Sequence, residues 1–283
     1  RARGQRLYTA TGATARASQQ ERIVLRGAAA MMALIGCALV LLLVFIVPVA
    51  QLLQWALAVA SLDWDARYWG FIGHSLLLAS LAALLVVGAG LWMAYAQRQH
   101  PGRLTHWGVR MSTLGYALPG MLLSVGLFVP VAWMDLQLMP LWQVWGVIPA
   151  PVLKGTLVVM MLALSARFMA VGFEPMQAAM QRITSHQEQA ARSLGLNRWQ
   201  TLCRLHLPML RSGWLGASLL VFVEVMKEMP ITLMTRPFGW DTLAVRVFEM
   251  SSEGMWERAA LPSVCIVAAG ILPVILLVRE TEK

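Results

Sequence analysis

From Gly27 to Leu62 the chain reads GAAAMMALIGCALVLLLVFIVPVAQLLQWALAVASL, 36 residues without one Asp, Glu, Lys or Arg. A helix crosses a bilayer with about 20 consecutive apolar residues, so this run is long enough before its first charge. Gly27 to Val47 suffices alone; Pro48 follows, and the remainder either continues the helix or lies at the interface. The rest of the chain has the same character. Of 283 residues, 58% are hydrophobic and 13% charged, about half the roughly 25% charge of an average soluble domain. That composition excludes a disordered chain and an ordinary water-soluble core. Cys37, Cys203 and Cys265 form no CxxC pair and read as small apolar packing residues.

Working outward from the first run, further apolar stretches place crossings near 72–96, 111–134, 152–172, 213–235 and 259–278, six in all. The uncharged stretch 136–153 holds Pro140, Pro149 and Pro151 with Trp142 and Trp145. Proline disrupts a helix interior and Trp favours the membrane–water boundary, so 135–151 reads as an interfacial loop. Residues 1–26 form an Arg-rich leader without a signal-peptide cleavage pattern. The sequence begins with Arg1, which suggests a piece of a longer chain with 1–26 as a cytoplasmic linker.

The net charge of +9 is an orientation signal. With six crossings, 16 of the 23 Lys and Arg fall in one set of alternating segments: the leader, 98–110, 182–211 and the C-terminal end. Arg67, Lys154, Arg236, Arg246 and Arg258 lie in the other set. The positive-inside rule puts the richer set, and both termini, in the cytoplasm. The basic residues thus flank spans and form no nucleic-acid footprint.

The longest cytoplasmic segment, 173–212, reads as two short helices. Ser185 and Glu188 have capping-box spacing, Ala190, Ala191 and Leu194 give a small apolar face, and Gly195 is a stop signal. Asn197 can cap a second helix through Trp199, Leu202 and Leu205 to Pro208. Such a helix–Gly–helix at the membrane surface suits a docking element. Its residues Gln189-Ala190-Ala191, Gly195, Leu205, Leu207 and Pro208 match, at every spacing, the EAA loop of ABC importer permeases, which this chain resembles. The motif's Glu is Gln189 here, preceded by Glu188. Gly115-Tyr116-Ala117-Leu118-Pro119-Gly120, the run Phe222–Pro230 and the run Arg236–Ala244 further resemble the C-terminal half of iron(III) importer permeases. Permeases for 2-aminoethylphosphonate, thiamine or polyamines share part of that pattern.

The resemblance implies an all-α, six-helix type I importer domain over 27–283 in a bacterial inner membrane. It implies docking of an ATP-binding subunit through Glu188, Gln189, Ala190, Ala191, Gly195, Leu205, Leu207 and Pro208. It also implies a homologous permease half, fused or separate, and a periplasmic substrate-binding protein facing the outer segment 236–258; a merely solvated loop is the alternative there. The chain has no G-x-x-x-x-G-K-[ST], and none of Lys154, Lys227 and Lys283 precedes Ser or Thr. ATP and Mg are therefore expected on the partner, with no cofactor, metal or catalytic residue on this chain. An ATP-independent channel or scaffold is the rival class.

Charges inside a bilayer cost roughly 2.5–3.5 kcal/mol each on insertion scales, which singles out Glu224, Lys227 and Glu228 in the fifth crossing and Arg167 in the fourth. Glu224 and Glu228 are spaced to share a helix face, and Lys227 can pair with Glu224. They either line or gate the pathway, or form a structural ion pair with Arg167. Pro119 and Gly120 in the third crossing are candidates for a hinge or for a static kink. The 18 Met and 12 Trp read as packing and interface residues, and His74, His100, His106, His186 and His206 show no ligand spacing.

Overall fold

The computed structural model describes residues 25–144 and 153–281, and all regular structure among them is helical. In chain order the helices are α1 (Ala28–Asp63), α2 (Ala66–Gln99), α3 (Arg103–Thr113), α4 (Gly120–Val144), α5 (Leu157–Gln181), α6 (Ser185–Ser193), α7 (Arg198–Met209), α8 (Arg211–Met226), α9 (Pro230–Thr235), α10 (Leu243–Ser252) and α11 (Trp256–Thr281). Contacts divide the chain into two compact units, Arg1–Gln51 and Leu52–Lys283. Most of the expected leader, and Trp145, Pro149 and Pro151 of the expected interfacial loop, lie outside the described residues.

Helices α1, α2, α4 as far as Pro140, and α5 are long and apolar enough to cross a membrane; α7 with α8, bent by 71°, makes a fifth if the pair is one span. The last expected crossing falls within α11, a helix of 26 residues. Several expected boundaries move. At Pro48, where both readings were open, α1 continues. A π-turn over Leu42–Ile46, with the Val47 N–H donating to Leu42 O, loosens the ladder just where the proline ring would clash, and the helix runs on to Asp63. The same device recurs in α7, where a π-turn over Leu202–His206 precedes Pro208. α4 continues through Pro140 to Val144, so 135–144 is helix and not interfacial loop. α5 extends to Gln181, nine residues past the expected end at 172, so the surface segment starts at Arg182.

The third and fifth crossings are each broken. The chain from Met111 runs through the end of α3 and a 3₁₀ turn over Leu114–Ala117, and only restarts as α4 at Gly120. α8 ends at Met226, because Pro230 has no N–H to return to the Met226 carbonyl and instead opens α9.

The core is built from α2, α5 and α8. Ala79, Ala82, Ala83 and Val86 give α2 a buried stripe of small side chains that meets Met160, Leu164 and Phe168 of α5 and Ala217, Val221 and Val225 of α8. Small residues let helix backbones approach closely, which is how helices pack where lipid removes the hydrophobic drive between them. At the tightest crossing of α2 and α5, a Cβ on Gly172 would stand 2.7 Å from Val86 Cγ1. A second cluster packs Ala56 and Val59 of α1 against Tyr68, Ala260 and Leu261.

The 3₁₀ turn before α4 lies directly on α5: a Cβ at Gly115 would sit 2.0 Å from Ala166 O. Gly115→Ala should therefore cost most of the monodisperse protein recovered in detergent. Gly126→Ala, where a Cβ meets nothing within 4 Å, should leave recovery and melting temperature at or slightly above wild type. Size-exclusion profiles and thermal melts of the two variants check this pair.

Candidate functional site

The surface arm, α6 and α7, is tied to the bundle through the carboxylate of Glu188. Its capping box uses Thr184 and Gln187, one residue earlier than the Ser185–Glu188 spacing suggested: Gln187 N–H donates to Thr184 Oγ1 at 3.4 Å, and Thr184 N–H to Gln187 Oε1 at 2.9 Å. The earlier start frees Glu188. Its Oε1 receives Arg98 Nε at 2.6 Å and lies 3.1 Å from His206 Nε2. Arg98, at the C-terminal end of α2, also donates to Met180 O at 2.9 Å and Ile183 O at 2.6 Å. Those carbonyls lie at and just beyond the C-terminal end of α5, where a cation is favoured. Arg98 thus joins the end of α2, the end of α5 and the arm, while the fully buried His206 and the Tyr95 ring, 5.6 Å apart, pack beneath α7.

Between the two helices Gly195 takes φ +79°. Leu196 N–H donates to Ala191 O at 3.2 Å and Gly195 N–H to Arg192 O at 2.9 Å; these two bonds define a Schellman motif, which needs a residue tolerant of positive φ at that position. Asn197 caps α7 with Gln200, as the sequence suggested. Of the expected docking residues, Gln189, Ala190, Gly195 and Pro208 face solvent, Glu188, Leu205 and Leu207 are partly covered, and Ala191 is buried. Two residues that the motif omits stand out: Leu194 is 83% exposed and Trp199 66%. The sequence put Leu194 with Ala190 and Ala191 on the small apolar face of the first helix, and showed Trp199 only as a residue of the second.

The intramembrane charges converge on the two helix breaks. Arg167 Nε lies 3.1 Å from Glu228 Oε2, and Arg167 Nη1 donates to Leu118 O at 3.0 Å. The other oxygen of Glu228, which is 6% exposed, receives the Ile231 N–H at 3.1 Å. Arg167 therefore satisfies a carbonyl freed by the break before α4 and a carboxylate that caps the restart at α9. Pro119 forms that first break. Gly120 is its restart, where a Cβ would stand 3.1 Å from Arg167 Nη1 and 3.3 Å from Glu228 Oε1. Glu224 and Glu228 do not share a helix face, since the helix ends between them. Lys227 turns outward and pairs with Glu224 at 2.8 Å. Removing one partner of a buried pair such as Arg167–Glu228 typically costs about 3–5 kcal/mol.

The segment expected to be outer, 236–258, is packed onto α2. Leu243, Ala244, Val245 and Met250 of α10 are buried. Leu243 N–H donates to Ser75 Oγ at 2.8 Å, and the Trp240 ring stacks on His74 at 4.2 Å. Arg236 bridges Asp241 and Glu249, and Arg258 holds Asp63 at the end of α1. The Arg67 side chain beside Asp65, at the N-cap of α2, keeps that carboxyl below its usual range.

Sequence comparison places these features in a family. Residues 86–279 match the model of the "binding-protein-dependent transport system inner membrane component" family. The chain is 25% identical over 240 residues to the Fe(3+)-transport system permease protein FbpB 2 of Haemophilus influenzae, an alignment covering 84% of this chain and 44% of that protein. It thus spans less than half the length of that relative. It is 26% identical over 215 residues to the putative 2-aminoethylphosphonate transport system permease protein PhnV of Salmonella typhimurium, covering 76% of each. Among solved structures, a chain of a bacterial alginate ABC transporter in complex with an alginate pentasaccharide-bound periplasmic protein superposes with a TM-score of 0.66 at 11% identity, covering 88% of this chain and 92% of that one. With its helical bundle, broken crossings and surface arm, the chain belongs to the family of inner membrane components of binding-protein-dependent transport systems.

Proposed function

We propose that this chain is one permease half of an ATP-driven importer, pairing with a homologous half in the bacterial inner membrane, with both of its termini in the cytoplasm. The observation that carries the proposal is the arm. α6 and α7 present Gln189, Ala190, Leu194 and Trp199 to solvent, yet Glu188, Arg98 and His206 tie the same arm to the ends of α2 and α5. A partner pressing on the exposed face therefore moves two core helices. An ATP-binding subunit is that partner in our reading: it holds ATP and Mg, and its closure reaches the bundle through Arg98. A periplasmic binding protein delivers substrate to the opposite face, at 236–258.

The Arg167–Glu228 junction is proposed as the gate. Alternating access needs two packings of the spans that the partner favours differently, and helix breaks are where a bundle can change packing at low cost. Here two breaks share one arginine, so they move together. Glu224 and Lys227, already paired with each other, border the pathway beside it.

We assign iron(III) as the substrate, following the Fe(3+)-transport relative and the run from Gly115 to Gly120. The second reading is 2-aminoethylphosphonate, favoured by the relative that this chain matches over 76% of both lengths. Uptake of radiolabelled iron(III) by the assembled complex decides between them: ATP-dependent accumulation supports iron, and its absence alongside accumulation of labelled 2-aminoethylphosphonate supports the second reading.

Gly195→Glu forces a side chain into positive φ on the docking face. Reconstituted complexes should retain ATP hydrolysis while uptake falls at least about tenfold, with membrane insertion unchanged. Unchanged uptake per ATP would count against docking through the arm. For the junction, Arg167→Gln and Glu228→Gln should each lower the yield of folded protein, since each strands a buried partner. The double variant should recover the yield but not the transport rate. Recovery of both would make the pair purely structural.

A further inference from the structure

A pocket of about 450 Å³ opens where the end of α1, the start of α2, the turn before α10 and the start of α11 meet, away from both the arm and the Arg167–Glu228 junction. That volume falls within the range of small-ligand sites. Its wall includes Asp63, Tyr68, His74, Asp241, Arg246 and Arg258. Each carboxylate in the wall already has its own arginine. Arg258 Nε donates to both oxygens of Asp63 at 3.0 and 2.8 Å, Arg67 Nε holds Asp65 at 2.6 Å, and Arg236 holds Asp241.

Arg246 is held less firmly. It reaches Glu249 at 3.4 Å, on a carboxylate that Arg236 engages at 3.1 Å, and its buried Nε has no hydrogen-bond partner among the described residues. Tyr68 is 3% exposed, and its buried hydroxyl likewise has no partner among the described residues. Native proteins rarely leave one buried polar group unpaired, because its lost hydration is not replaced. Here two belong to side chains that line one cavity.

The chemistry of the two groups names the missing partner. An arginine Nε–H can only donate, and a tyrosine hydroxyl can donate, so the occupant must present acceptor oxygens. The guanidinium charge favours an anion, and the wall carboxylates are already paired. Gly70 and Gly239 leave room at the mouth, and the stacked His74–Trp240 rings, 4.2 Å apart, give a flat wall beside it. We propose that this pocket binds a small oxyanion, a carboxylate or phosphonate group on a free small molecule, between Arg246 and Tyr68.

The test uses the full chain in lipid nanodiscs with methylphosphonate and acetate as probes, read by saturation-transfer NMR. Saturable binding of at least one probe is expected. Tyr68→Phe and Arg246→Gln should each weaken it about tenfold or more, the loss expected for a hydrogen bond to a charged group. Arg103→Gln, on α3, should leave it unchanged. Tyr68→Phe removes only an unpaired oxygen, so the ligand-free chain should melt at or above the wild-type temperature. That variant carries the test alone if Arg246→Gln fails to fold. Absence of saturable binding by both probes would overturn the proposal, as would affinities unchanged in the folded variants, or a clear drop in ligand-free melting for Tyr68→Phe. Binding of an acidic peptide without binding of either probe would reassign the pocket to a protein side chain and overturn it equally.

Discussion

Within a membrane, a backbone carbonyl or a side-chain charge that loses its partner has no water to replace it. Arg167 meets that constraint for this chain. Two crossings are broken, before α4 and after α8, and each break leaves a polar group that a continuous helix would not. Arg167 takes the Leu118 carbonyl from one and the Glu228 carboxylate from the other, while Glu228 caps the restart of its own chain through Ile231. A single guanidinium can do this because its fork of donors reaches in two directions at once. The packing around it is also constrained, since Gly115 leaves no space for a larger residue against Ala166 and Gly120 only a tight one against Arg167 and Glu228.

A second arginine plays the corresponding part at the membrane surface. Arg98 collects the Met180 and Ile183 carbonyls at the end of α5 and the partly covered carboxylate of the arm, Glu188. The two junctions are linked by α5, which carries Arg167 near its middle and delivers Met180 to Arg98 at its end. In the proposed importer, force applied to the arm has a stiff path: from α6 through Glu188 and Arg98 to the end of α5, and along that helix to the two breaks. The path is a chain of packed and hydrogen-bonded elements, and its two-state character is part of the proposal.

Much of this was legible from residue order. Uncharged runs located the membrane helices, the Gly195 stop and the Asn197 cap were readable from local turn chemistry, and the pairing of Arg167 with Glu228 was among the alternatives the intramembrane charges allowed. What was misread traces mainly to proline and to one-residue shifts. Pro140 looked like part of a loop and Pro48 left continuation open; helices pass through both, at Pro48 by way of a π-turn. Pro230 sits inside a run that looked like one crossing and Pro119 was open as a hinge or a static kink; the helices break at both. Whether a proline ends a helix depends on which neighbours can satisfy the freed carbonyl, and Arg167 and Glu228 are distant in sequence from the breaks they serve. The capping box moved from Ser185 to Thr184 because Glu188 has a stronger partner in Arg98, some ninety residues away. The paired charges and half-buried helix of the outer segment were invisible for the same reason, since Ser75 and His74 hold it from α2.

In the proposed importer, α6 and α7 are where an ATP-binding subunit grips this chain. The most direct measurement is photo-crosslinking from a photo-reactive phenylalanine placed at Leu194, in the open face of the arm, compared with one at Leu104 on α3, which is 88% exposed. Capture of the ATP-binding subunit is expected from position 194 and not from position 104. Capture from 104 alone, or equally from both positions, would contradict docking through the arm.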